Sequence, residues 1–195
     1  MKRRLGWLLP FLLVPLLLLL LGPALPASGA DRQLFTAEGY RQDALRSPTP
    51  ASVPGGRVVD TAGVARLVER EKAALIDVLP APIRPPDLAP GTLWMPEERR
   101  NIPGSLWLPA VGMPVLSDAL TAYFADGLRR ATGGNKAAPV IIYCRPDCWL
   151  SWNAAKRAAA MGYSRVYWYP DGVEGWVASG RPTQLSTPEP ALPAP

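Results

Sequence analysis

The segment 139–169 most constrains the fold. PVIIYC is a short, unbroken, β-favouring apolar run. LSWNAAKRAAAMG follows after a five-residue loop, with Leu150, Ala154, Ala155, Ala158 and Met161 at helical spacing and Gly162 placed to close the helix. SRVYWYP is again a strand pattern. A strand, a helix and a strand this close together require a crossover and a parallel pairing. The expected fold class is therefore α/β, with a parallel central sheet and helices on both faces.

The rest of the chain extends that alternation. Asp60 or Thr61 can cap a short helix whose apolar side holds Val64, Leu67 and Val68. Ala73 to Leu79 reads as a buried strand. Ser117 caps a helix over 117–131 with Leu120, Tyr123, Phe124 and Leu128 on one side. Residues 80–96 carry too many prolines for a helix or sheet interior and read as a long loop. NIPGSLWLP gives a tight turn at Pro103-Gly104 and then a short strand, and DGVEGWVASG a turn and short helix.

The ends have a different composition. Lys2, Arg3 and Arg4 precede an apolar run from Leu8 to Leu21 and small residues ending at Ala30. That order predicts a secretory signal peptide over 1–30, cleaved after Ala30, and a periplasmic location. The run is broken by Pro10 and Pro15, so the membrane is met only through this leader before cleavage. Residues 31–57 read as an irregular extension or linker, 58–183 as the folded domain, and 184–195 as a disordered proline-rich tail. The sequence has 21 basic and 16 acidic residues, three of the basic ones in the leader. No basic stripe argues for nucleic acid.

The chemistry falls on YCRPDCWLSW. Cys144 and Cys148 are the only cysteines, and the chain has no histidine. Cys144 is expected at the carboxyl end of a strand and before a helix N-terminus, where ligands gather in such sheets. Backbone N–H groups and the helix dipole lower a thiol's pKa there, so no histidine base is required. Four residues of separation allow the two sulfurs to bond or exchange. Three readings stay open: a structural disulfide, a redox or sulfur-transfer pair, and a metal site, the last incomplete with two thiols alone. No metal and no cofactor is assigned. Arg145 favours an anion at this loop, Asp147 opposes it, and Trp149 and Trp152 either pack or line a groove with Trp94, Trp107 and Trp168. Arg84, Arg99 and Arg100 are basic residues that could contribute to holding an anion.

Over about residues 60–182 the chain resembles the rhodanese-like family. ALIDVLP is similar to that family's strand ending in aspartate, here Asp77; NIPGSLWLP to its Ile-Pro-Gly-Ala turn; VIIYCRPD to the strand leading to its active cysteine; and the stretch from Asn153 to Trp176 to the following helix, strand and glycine-tryptophan segment. More narrowly, 77–109 and YCRPDCWLSWNAAKRA resemble the CXXCW-motif proteins associated with pyrroloquinoline-quinone-dependent catabolism, although the spacing here is C-x3-C-W. The resemblance implies an accessory role in periplasmic quinoprotein alcohol oxidation, with a quinoprotein dehydrogenase or its cytochrome as partner. It implies Cys144 as nucleophile or sulfur carrier, Cys148 as resolving thiol, and Arg145, Asp147 and Trp149 as the anion-facing loop, with backbone N–H groups of 145–149 holding the anion. Trp149 stands where the family's loop usually has arginine, and Asp147 where it has glycine. Both changes argue against ordinary thiosulfate sulfurtransferase activity. The competing reading is a non-enzymatic binding module, in which a Cys144–Cys148 disulfide braces the loop and the tryptophans and residues 80–96 dock a partner.

Overall fold

A computed structural model describes residues 34–190. The signal-peptide expectation and the last five residues of the tail lie outside these. Seven strands and four helices follow one another along the described chain. They are β1 (Arg57–Val58), α1 (Thr61–Glu71), β2 (Ala74–Asp77), β3 (Arg99–Asn101), β4 (Leu106–Trp107), α2 (Asp118–Thr132), β5 (Val140–Tyr143), α3 (Trp149–Ala160), β6 (Val166–Tyr169), α4 (Gly172–Ala178) and β7 (Gln184–Ser186).

Five strands form one parallel sheet in the order β1-β6-β5-β2-β4. β5 is its middle strand, and all four of its residues are buried. This explains the unbroken apolar run: a strand covered on both faces cannot alternate with polar residues. Val140 and Ile142 pack with α2 and α3, while Ile141 and Tyr143 pack with α1 and α4. The helices therefore cover both faces, as expected. Asp60 caps α1 by accepting from the Gly63 N–H at 2.7 Å, and Ser117 caps α2 by accepting from Leu120.

Both terminal segments depart from expectation. Residues 34–57 lack regular structure apart from β1 at their end, yet they are no linker. Phe35 and Leu45 pack against the core that holds α3, and Trp149 and Trp152 both meet Phe35 edge-on. The tail begins as β7, pairing antiparallel with β3. It continues to Glu189, whose N–H donates to Trp107 O and whose carboxylate pairs with Arg130 at 2.7 Å. The backbone groups along β3 take partners from the far end of the chain, which a reading by local composition misses.

The outer covering also accounts for α3. A helix on a sheet normally keeps one face in water, but nine of the twelve residues of α3 are buried. Leu150, Ala154, Ala155 and Ala158 face the sheet. Trp149, Trp152, Asn153 and Lys156, at helical spacing, face the extension.

Candidate functional site

β2, β5 and β6 end in register, with Asp77 beside Tyr143 and Tyr143 beside Tyr169. Cys144 follows at once, and Cys148 occupies the cap position of α3. The two sulfurs lie 2.7 Å apart, unbonded and buried. The loop between them turns at Asp147, whose φ of 53° lies in the left-handed region. Aspartate tolerates that region better than most residues, as its short side chain can bond locally. Arg145 and Asp147 both point their loop positions to solvent.

The loop is fixed from three sides. From the sheet, Trp168 donates its indole N–H to Ser151 Oγ, which in turn donates to Cys148 O. From the β6–α4 turn, Val173 N–H donates to Cys144 O at 3.3 Å. Gly172 has φ +58°, and any side chain there would place its β-carbon 2.5 Å from Arg145 Cα. From β2 and β3, buried Asp77 pairs with Arg99 at 2.8 Å, and Arg99 also donates to Cys144 O at 3.4 Å.

A fourth hold comes from the extension, here called the strap. Arg46 forms an antiparallel bridge with Cys148, and Trp149 N–H donates to Leu45 O at 3.0 Å. The Arg46 guanidinium donates to Pro146 O at 2.8 Å. Arg41 stacks over the Trp149 ring, 4.6 Å from its centroid, and Trp149 donates its indole N–H to Ser47 Oγ. Asn153 accepts from Arg41 N–H and donates to Arg41 O and Gly112 O.

The two thiols have opposite environments. Burial raises the Cys144 thiol well above its ordinary range; the hydrogen bond to Cys148, the Cys148 anion and Asp77 add to the rise, against the Arg145 N–H. Cys148 is lowered to about 6, first by the hydrogen bond it accepts from Cys144, then by the N–H groups of Leu150 and Ser151 and the charge of Arg46, against its own burial. Cys148 makes no close side-chain cap bond to α3, so these amides act as the positive end of the helix rather than as one directed contact. These surroundings favour a thiolate at Cys148 over one at Cys144, with the shared proton on the Cys144 sulfur. The resemblance implied Cys144 as nucleophile; the environment favours Cys148, which alone sits at the helix end, whereas the cation beside Cys144, Arg99, is already paired with Asp77.

Several further expectations change. The Trp149 N–H is consumed by Leu45 O, so it is not available to an anion, and its ring is covered by Arg41 and Phe35. Trp107, Trp149, Trp152 and Trp168 are packed rather than open to a groove. Arg84 holds the carbonyls of Leu88, Ala89 and Thr92 in its own loop, Arg99 holds Asp77, and Arg100 holds Thr183. The three arginines do not converge on one ligand. Arg41, Arg46, Ser151 and Asn153 went unread as site residues. Asn153 alone left a trace, as a polar residue in a helix otherwise rich in alanine and tryptophan.

The fold and the site together define a parallel α/β domain with a strand-to-helix thiol loop. The rhodanese-like domain family matches residues 60–179, and the chain belongs to it. Among curated proteins none matches. Similar solved structures include the following three. The thiosulfate sulfurtransferase of Pseudomonas aeruginosa is 16% identical, with a TM-score of 0.44 over 68% of this chain and 21% of that one. The polysulfide-sulfur transferase homodimer of Wolinella succinogenes is 18% identical, with a TM-score of 0.43 over 67% and 79%. A rhodanese-like domain of an Anabaena sp. protein is 17% identical, with a TM-score of 0.42 over 70% and 88%. The chain thus spans about a fifth of the Pseudomonas protein. Family membership gives sulfur-transfer or thiol chemistry as the general class of activity.

Proposed function

We propose that this chain is an exported thiol-exchange protein, of the CXXCW type tied to quinoprotein alcohol catabolism, working in the periplasm beside a quinoprotein dehydrogenase or its cytochrome. The leader at 1–30 and the YCRPDCWLSWNAAKRA stretch support the setting. One observation carries the chemistry: Cys144 and Cys148 lie sulfur to sulfur at 2.7 Å, with Cys148 at the N-terminus of α3. The Cys148 thiolate attacks a disulfide R–S–S–R′, forming a Cys148–S–S–R bond and expelling R′–S⁻. Cys144 gives up its proton and attacks the Cys148 sulfur, which expels R–S⁻ and closes the Cys144–Cys148 disulfide. The dithiol loses two electrons and the substrate disulfide gains them. A persulfide donor R–S–SH enters the same way. Its outer sulfur moves to Cys148, and Cys144 then releases it as hydrosulfide.

A second reading has its own observation. Both cysteines are buried, and Ile83, Leu93 and Met95 are 80–87% exposed on the 80–96 loop. A braced loop and an apolar loop surface suit a partner-docking module. Intact mass of the mature periplasmic protein, alkylated with and without mild reductant, separates the two. Cysteines that open under mild reductant and close with glutathione disulfide support exchange. A disulfide that resists reductant sinks it and favours the docking module.

A further inference from the structure

We infer that Arg46 is a positioning residue of the thiol site, a cation delivered by the strap to the Cys148 sulfur. The inference rests on the thiol reading of the pair. Two contacts fix this arginine where it is needed. Its backbone bridges to Cys148 across an antiparallel pairing, and its guanidinium donates to Pro146 O at 2.8 Å, two residues before that sulfur. An exposed arginine without such anchors spreads over many rotamers and contributes little charge at any one point. Anchored at both ends, Arg46 keeps its charge on the loop that carries Cys148.

The other groups around the pair cannot take that part. Cys144 faces Cys148 as a hydrogen-bond donor from the end of β5. Asp77, behind Cys144 at the end of β2, is an anion and acts on Cys144. Arg99, on β3, is already tied to Asp77 and to Cys144 O. Within the loop, Arg145 and Asp147 are exposed and of opposite sign. Arg41, also on the strap, lies over the Trp149 ring. Position 149 itself is an uncharged indole. The Arg46 charge favours the Cys148 thiolate, adding to the larger effects of the Cys144 hydrogen bond and the Leu150 and Ser151 N–H groups. The charge comes from a segment that lies before residue 60, where the family match begins.

The test compares the reduced full-length mature chain with R46Q and R46K. Iodoacetamide alkylation of Cys148, located by peptide mass, is followed from pH 5 to 9 at low salt. For R46Q the midpoint is expected to rise by about half a pH unit or more, with alkylation below the midpoint slowed about threefold. R46K is expected to keep the wild-type midpoint, because the charge stays. Added salt should move wild type toward R46Q. An R46Q midpoint equal to wild type overturns the inference, even if alkylation becomes faster at every pH, since that pattern reports a loosened strap. An R46K midpoint displaced as far as that of R46Q also overturns it. Reaction of wild type with glutathione disulfide is measured separately. A wild type inert in that assay refutes exchange, while the midpoint comparison still decides on Arg46.

Discussion

Replacing Asn153 with alanine should expose the thiols without unfolding the protein. The Asn153 side-chain amide treats Arg41 as a neighbouring strand would, accepting from its N–H at 2.8 Å and donating to its carbonyl at 2.9 Å. A third bond goes to Gly112 O at 3.0 Å. All three are buried, so N153A leaves backbone groups without partners. Each such hydrogen bond is worth about 1 kcal/mol net, more where a buried group is stranded. Two of the three hold the strap, so strap closure weakens by about 2 kcal/mol. At about 1.4 kcal/mol per decade, the open population rises about 30-fold. Reaction of the reduced protein with a thiol reagent under native conditions reads this directly, since both sulfurs are buried and the strap pairs with Cys148. Urea denaturation run in parallel gives the global loss, expected at about 2–3 kcal/mol. A native labelling rate equal to wild type would refute the reasoning. It would mean that reagents reach the sulfurs by a path the strap does not guard.

Cys144→Ser should hold a stable mixed disulfide at Cys148 after treatment with glutathione disulfide, seen as a gain of one glutathionyl group in intact mass; rapid release of that group without added thiol would contradict Cys144 as the resolving residue. Cys144→Ala, which removes the donor, should show a higher Cys148 alkylation midpoint, because the Cys144 hydrogen bond is the largest influence lowering it. Asp77→Asn should cost about 3 kcal/mol in urea denaturation, since Arg99 loses its partner while only 11% of its side chain reaches solvent; a loss under about 1 kcal/mol would show that Arg99 finds water instead. Stability of the reduced protein should also depend on pH through Cys148. Its folded value of about 6 lies below the unfolded value of about 8.5, so its contribution is full above about 8.5 and disappears as the pH falls through about 6. Denaturation at pH 5.5 and 7.5 should show wild type gaining on C148S at the higher pH, and an unchanged gap would count against a Cys148 thiolate.

The fold was legible because it depends on local pattern. The runs at 74–76, 140–143 and 166–169 are apolar because their strands lie inside a parallel sheet. Asp60 and Ser117 cap their helices through bonds reaching only three residues. Cys144 could be placed at a strand end for the same reason.

The strap could not be read that way. Its contacts with the loop and α3 join residues about a hundred positions apart: Arg46 to Pro146, Ser47 to Trp149, Arg41 to Asn153. Its own sequence, polar and broken by prolines, has no period to announce a buried side. The pairing of β3 with β7 is hidden likewise, since Arg100 meets Thr183 only after the chain has returned. By itself, then, the sequence determined a parallel α/β domain with two thiols at the carboxyl edge of its sheet. Tertiary structure alone set the surroundings that order the two thiols as acids. That order depends on which sulfur faces a helix end and an arginine brought from the N-terminal segment, and such distances exist only once the chain has closed over itself.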